Sequence, residues 1–153
     1  TSATLGDVGV DDTIRRSETG WLELNPETGF IYDTLGFIAR QLNGQFFDFD
    51  LYGFVEHLQY TVYREDGGHY DWHVDRGVSA PSPRKLSLVL QLSDPDEYEG
   101  GELQVFTSSE PTTVVKKKGL VAAFPSFVLH RVTPVTAGTR RTLVVWLSGP
   151  RFR

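Results

Sequence analysis

From residue 84 to residue 93 the chain alternates without a break. Leu86, Leu88, Leu90 and Leu92 fall on one side, and Lys85, Ser87, Val89, Gln91 and Ser93 on the other. Only an extended strand turns every second side chain to the same face, so this stretch commits the chain to β-sheet. A looser alternation over 54–63 puts Phe54, Leu58, Tyr60 and Val62 together. Shorter strand candidates follow at 102–106, 112–115, 120–124, 129–133 and 140–147. Between and around them stand Asp94-Pro95, Gly100-Gly101, Glu110-Pro111, Gly119, Pro125, Pro134 and Gly138, residues that interrupt a strand or turn the chain.

Upstream the period changes. Over 28–43, Ile31, Leu35, Ile38 and Leu42 recur at spacings of 4, 3 and 4, one face of a helix, with Asn25-Pro26 as a start and Gly44 as a stop. Residues 1–21 read as irregular and polar. Many short strands after one helix predict a mainly β fold with a flanking α-helix, a double-stranded β-helix or jelly roll. At 153 residues the chain reads as one domain, with an N-terminal segment and helix over 1–45 and the jelly-roll core over 46–150.

Composition narrows the chemistry. There is no cysteine, so any metal must be held by histidine and carboxylate. A net charge of −5 argues against a nucleic-acid partner. The one basic run, Lys116-Lys117-Lys118, reads as a solvated turn before a strand. Apolar runs such as 119–124 are far too short to span a bilayer, and the polar, acidic start of the chain is unlike a secretory signal. A cytoplasmic protein, monomeric or weakly dimeric, is the expectation. The chain has no methionine and begins at Thr1, so a few N-terminal residues are expected to be missing.

Histidine and carboxylate meet at His73-Val74-Asp75. Residues i and i+2 of a strand point the same way, so both side chains can reach one ion. A third ligand must come from elsewhere, and His130, on a later strand candidate, is the sole histidine after Asp75. Two histidines and a carboxylate make the facial triad of non-haem Fe(II) oxygenases, which leaves three coordination positions open. The spacing by itself is ambiguous, because His69-Tyr70-Asp71 repeats it. His57 has no carboxylate two residues on and reads as a partly exposed or internally satisfied side chain.

The wider pattern resolves the ambiguity. Tyr63, Gly67, Tyr70, His73 and Asp75 resemble the Tyr-x-x-Gly-x-x-Tyr-x-x-His-x-Asp segment of the prolyl-4-hydroxylase-like branch of the 2-oxoglutarate- and Fe(II)-dependent dioxygenases, with one extra residue in the first gap. Gly100-Gly101-Glu102-Leu103 resembles that family's Gly-Gly-acid-Leu strand opening. His130, Arg140, Thr142 and Trp146 resemble its closing segment. The resemblance runs from residue 54 to residue 146 and is not specific for the helix.

It implies Fe(II) held by His73, Asp75 and His130, with 2-oxoglutarate and O2 as co-substrates. It places a basic residue about ten positions beyond the distal histidine against the far carboxylate of 2-oxoglutarate. A buried carboxylate needs a partner, and arginine offers a two-pronged one. Arg140 and Arg141 both qualify, but strand neighbours face opposite ways. The family pattern selects Arg140 with Thr142 and sends Arg141 to solvent. The resemblance also puts Tyr63 in the co-substrate pocket. Gln91 stands where related enzymes place a polar or phenolic group; as a residue of the polar strand face it could equally look to solvent. Tyr70 and Trp72 either pack beside the metal or touch substrate. The implied reaction hydroxylates a C–H bond and releases succinate and CO2, and the carboxylate ligand Asp75 favours hydroxylation over halogenation. A prolyl residue of a protein or peptide is the leading substrate expectation; a free amino acid or other small molecule is the alternative. A non-catalytic, cupin-like binding jelly roll is the reading from a different class. Residues 77–83, small and Pro-rich, form either a plain surface loop or a lid.

Overall fold

The computed structural model describes residues 13–75 and 83–152. All but Pro83 of the expected loop or lid at 77–83 lies outside those residues. The chain runs through β1 (Arg15–Arg16), β2 (Glu18–Leu22), α1 (Gly29–Leu42), β3 (Leu58–Arg64), β4 (His69–His73), β5 (Arg84–Gln91), β6 (Tyr98–Gly100), β7 (Leu103–Phe106), β8 (Pro111–Thr113), β9 (Val121–Pro125), β10 (His130–Val132) and β11 (Val135–Ser148). Two antiparallel sheets face each other. One has the order β1-β4-β10-β7-β8, the other β2-β3-β11-β5-β9, with β6 paired to β11 off the main path. This is the mainly β jelly roll with one flanking helix that the alternation predicts.

The strand alternation separates two cores. Leu86 and Leu88 of β5 join Leu58, Leu143, Val145 and Leu147 under α1. The opposite face of β5 looks into the space between the sheets, where Val89 packs with Tyr63, Tyr98, Leu103, Phe124 and Val132. Both faces of that strand are thus largely covered, and its polar face is an interior one: Lys85, Ser87, Gln91 and Ser93 are all buried. That settles Gln91, which does not look to solvent.

The helix matches its expected span, but its buried face is turned slightly. Tyr32, Leu35, Gly36 and Ala39 are the buried positions, while Ile31 and Ile38 flank them. The small residues Gly36 and Ala39 let the helix lie close to its neighbours, which a search for large apolar residues overlooks. Full burial of a side chain such as Leu35 contributes about 1.5–3 kcal/mol. Tyr32 fixes the helix to the sheet, donating its hydroxyl to Leu22 O and accepting from Leu58 N. Gly44 does not stop the helix. The chain widens into a π turn over Asn43–Phe47 and leaves it at Asp48, the one described non-glycine residue with positive φ. The Asn43 side chain closes this exit by exchanging two 2.9 Å hydrogen bonds with the Phe49 backbone.

Two other expectations change. Residues 1–21 are not irregular throughout, since β1 and β2 add to the edge of each sheet, and β2 pairs along β3 from Glu18 to Leu22. Gly138 does not break a strand. It lies inside the 14-residue β11, with φ of +72°, and an added Cβ there would stand 1.9 Å from Glu97 O. Only glycine permits that close approach of the Glu97 carbonyl, just before β6, to β11.

Candidate metal centre

Two neighbouring strands of one sheet carry the histidines. β4 and β10 run antiparallel with His73 directly opposite His130. Asp75 lies just beyond the end of β4, where its backbone N–H donates to Ser126 O. The carboxylate Oδ1 is 3.4 Å from His73 Nε2 and 3.3 Å from His130 Nε2. One ligating atom from each of the three side chains falls within 4.8 Å of the others, a group that could hold one metal ion.

The atoms behind the ligands set their direction. His73 Nδ1–H donates to Asp71 O at 2.7 Å, and His130 Nδ1–H donates to Val128 O at 2.9 Å. Since a carbonyl can only accept, each ring carries a proton on Nδ1 and turns Nε2 toward the centre. Asp75 Oδ2 accepts from Ser87 Oγ at 2.7 Å and from Trp146 Nε1 at 3.1 Å, so Oδ1 is the oxygen left for an ion. Ser126 Oγ lies 2.9 Å from Ser87 Oγ and extends this brace. Burial pushes the Asp75 carboxyl up, but hydrogen bonding with His130, His73 and Ser87 outweighs it and holds the group well below the usual carboxylate range.

His69-x-Asp71 is excluded from this group. His69 Nδ1 is bonded to Gly67 O and its Nε2 to Thr13 O, while Asp71 Oδ1 accepts from Trp72 N. Tyr70 takes part instead, and a bulge brings it there. From His130 to Val132 is two residues on β10, but their partners His73 and Tyr70 are three apart on β4. The extra residue re-aims the strand, and Tyr70 stacks on His73 with centroids 3.4 Å apart and planes 11° apart. Trp72 turns outward onto Phe106, 5.1 Å between centroids, under the Arg131 guanidinium.

A cavity of about 40 Å³ opens beside the triad, and Tyr63, Tyr70, Arg140, Thr142 and Trp146 are among its walls. Arg140, Thr142, Val144 and Trp146 line it from one face of β11, and Arg141 is exposed on the other. Arg140 is 3% exposed, its Nε has no hydrogen-bond partner, and no described carboxylate forms an ion pair with it. Its guanidinium carbon lies 5.4 Å from the Tyr63 ring centre. Burial pushes the Tyr63 phenol up, against the opposing charges of Arg140 and Arg15, so it stands as a neutral hydroxyl at neutral pH. Gln91 does not line this cavity; it lines a separate pocket of about 20 Å³ that shares Arg140, its amide donating to Tyr98 Oη at 2.7 Å and to Ser93 O at 3.2 Å. A larger groove of about 590 Å³ between α1 and residues 54–57 contains none of the triad, and His57 is exposed on its rim.

The sequence did not point to Ser87, Ser126 or Arg15 as parts of this site. Ser87 shares the interior face of β5 with Gln91, a signal available once that face is known to be interior. Arg15 had none, because a two-residue edge strand leaves no periodicity to read.

Residues 58–148 match the model of the 2OG-Fe(II) oxygenase superfamily. A PKHD-type hydroxylase of Teredinibacter turnerae is 41% identical over 96 residues, covering 59% of this chain and 42% of its own. Another from Synechococcus sp. (strain CC9605) is 44% identical over 83 residues, covering 54% and 37%. The chain thus spans about 42% and 37% of the length of these two relatives. Among solved structures, a Pseudomonas putida prolyl-4-hydroxylase aligns with a TM-score of 0.71 at 25% identity, over 92% of this chain and 75% of its own. The viral collagen prolyl hydroxylase of Paramecium Bursaria Chlorella virus-1, in its 2OG complex, gives 0.73 at 25% identity, over 89% and 80%. Among the described residues no helix is long and apolar enough to cross a membrane.

Proposed function

The chain belongs to the 2OG-Fe(II) oxygenase superfamily, and from that premise we propose that it is an Fe(II)- and 2-oxoglutarate-dependent hydroxylase acting on a prolyl residue of a protein or peptide. The observation that carries the reading is Arg140. A buried guanidinium without a carboxylate partner is costly, and this one lines the cavity that the triad opens onto. A dicarboxylate held at one end by a metal and at the other by Arg140 answers both needs. A simple metal-binding jelly roll requires only the triad.

In this reading His73, Asp75 and His130 hold Fe(II), which with 2-oxoglutarate and O2 supplies the chemistry of C–H hydroxylation with release of succinate and CO2. Ser87 and Trp146 fix the Asp75 carboxylate so that one oxygen alone faces the ion. Arg140 receives the far carboxylate of the co-substrate, with Thr142 and Tyr63 as neutral hydroxyls on the adjoining walls. Gln91, already tied to Tyr98, serves by stiffening the wall behind Arg140. Tyr70, which lines the cavity, is read as meeting substrate through its edge or hydroxyl, and Trp72, packed on Phe106, as packing alone. Among the described residues lining the cavity the only carboxylate is Asp75, so the protein's part is binding and orientation rather than proton transfer.

The test is succinate formation by the purified chain with Fe(II), 2-oxoglutarate and ascorbate, against prolyl peptides and against pools of small metabolites. Stimulation by the peptides supports the proposal, and stimulation by small molecules alone moves the substrate to that class. No binding of 2-oxoglutarate to the metal-loaded chain would sink it in favour of a binding module.

A further inference from the structure

Arg15 is the second cation in the cavity. It stands on β1 opposite Tyr70, on the sheet facing the one that carries Arg140, and lines the same space. Its Nε donates to Ser17 Oγ at 2.6 Å, its Nη2 donates to Gln59 Oε1 at 3.3 Å, and its guanidinium carbon lies 4.6 Å from the Tyr70 ring centre. His73 covers one face of that ring at 3.4 Å, so Arg15 takes the other, one aromatic layer away from the metal ligand. Every one of these partners is neutral. A guanidinium carries five N–H donors, and those of Nη1 meet no acceptor among the described residues. By contrast, Arg64 and Arg84 are each paired with a carboxylate, Glu18 and Glu56.

Among the described residues the charges on the cavity wall are Arg15, Arg140 and Asp75. Fe(II) would add two positive charges and 2-oxoglutarate would remove two. The loaded site would then keep the single positive excess of its own side chains, on the Arg15 side, because Arg140 is taken. We propose that Arg15 is a specificity residue that receives a carboxylate of the substrate, so that the molecule hydroxylated here is an acid at a short distance from the reacting C–H bond. This rests on the hydroxylase reading above. The carboxylate could belong to a free amino or other small acid, or to an acidic side chain beside the target residue of a peptide.

The experiment loads the full chain with Mn(II) and saturating 2-oxoglutarate, so that Arg140 is occupied, and follows the paramagnetic relaxation of added 13C-acetate. The expected result is a saturable enhancement whose half-saturation concentration rises about tenfold or more in Arg15→Gln, is largely restored in Arg15→Lys, and is unchanged in Arg141→Gln. Mn(II) and 2-oxoglutarate affinities of Arg15→Gln should stay within about twofold of wild type, which separates lost anion recognition from a damaged fold. Competition then names the source: displacement of acetate by L-proline indicates a free acid, and displacement by an amide-capped Pro-Glu peptide indicates an acidic peptide. No saturable enhancement in wild type, or equal enhancement in Arg15→Gln, overturns the assignment. Failure of 2-oxoglutarate to bind at all overturns the hydroxylase reading instead.

Discussion

The indole nitrogen of Trp146 donates to Asp75 Oδ2 at 3.1 Å, on the side of the carboxylate turned away from both imidazoles. A carboxylate has two equivalent oxygens, and this bond, with that of Ser87, removes the equivalence. Trp146 is itself clamped: the Arg84 guanidinium lies 3.7 Å above its ring and pairs with Glu56. Trp146→Phe keeps most of the buried area and loses the donor. Fe(II) affinity is expected to fall about tenfold to a hundredfold, the usual effect of removing a group behind a metal ligand. Metal titration by competition with a chelator measures this, and an unchanged affinity would mean that Ser87 orients the carboxylate alone.

The two His-x-Asp copies make a matched comparison. His73→Ala and Asp75→Ala should abolish Fe(II)-dependent succinate formation and most metal binding, while His69→Ala keeps both. A dead His69→Ala beside an active His73→Ala would contradict the geometry of the site.

Arg140 and Arg141 provide the same kind of control on β11. Truncating one partner of a buried charge pair costs about 2–5 kcal/mol, so Arg140→Ala should raise the 2-oxoglutarate requirement roughly 30-fold or more. Arg141→Ala, at an exposed position, should change it by less than about twofold. Equal effects would place the co-substrate elsewhere.

Gly138→Ala tests the fold apart from the site. The substitution meets both a positive φ and a carbonyl 1.9 Å from the new Cβ. A loss of about 2 kcal/mol or more in urea unfolding is expected, and Gly119→Ala, with positive φ but open space around it, should cost less.

The metal-free protein should weaken in acid through Asp75. Folding holds this carboxyl well below its ordinary range. Its contribution is therefore complete above the unfolded value of about 3.9 and is lost progressively as pH falls below that. The urea midpoint of the wild type should approach that of Asp75→Asn as pH is lowered from about 6 to about 3; a constant gap would show that the carboxylate is not held by its neighbours.

The alternation of β5 made the sheet readable before the structure, and the resemblance to the dioxygenase family, not spacing alone, singled out His73, Asp75, His130 and Arg140 as candidates and sent Arg141 to solvent. What escaped was set by contacts distant in sequence. The interior side of β5 could not be chosen by polarity, because polar groups are buried on it, among them Ser87, which bonds Asp75. Asp75 is braced by Ser87 and Trp146, 12 and 71 positions away. The helix face followed Gly36 and Ala39, whose small size matters only once a neighbour is known. Arg15 entered the cavity from a strand that exists only because β4 pairs with it.

The bulge in β4 gives this strand a phase as well as a length. Tyr70 and His73 share a side because one residue too many separates them relative to β10. Without the bulge a regular ladder would set Tyr70, three positions from His73, on the far side while leaving the triad's composition intact. The cavity would then lose the aromatic layer between His73 and Arg15. Lineages that lost this bulge would be expected to differ in the molecules they accept before they differ in the metal they hold.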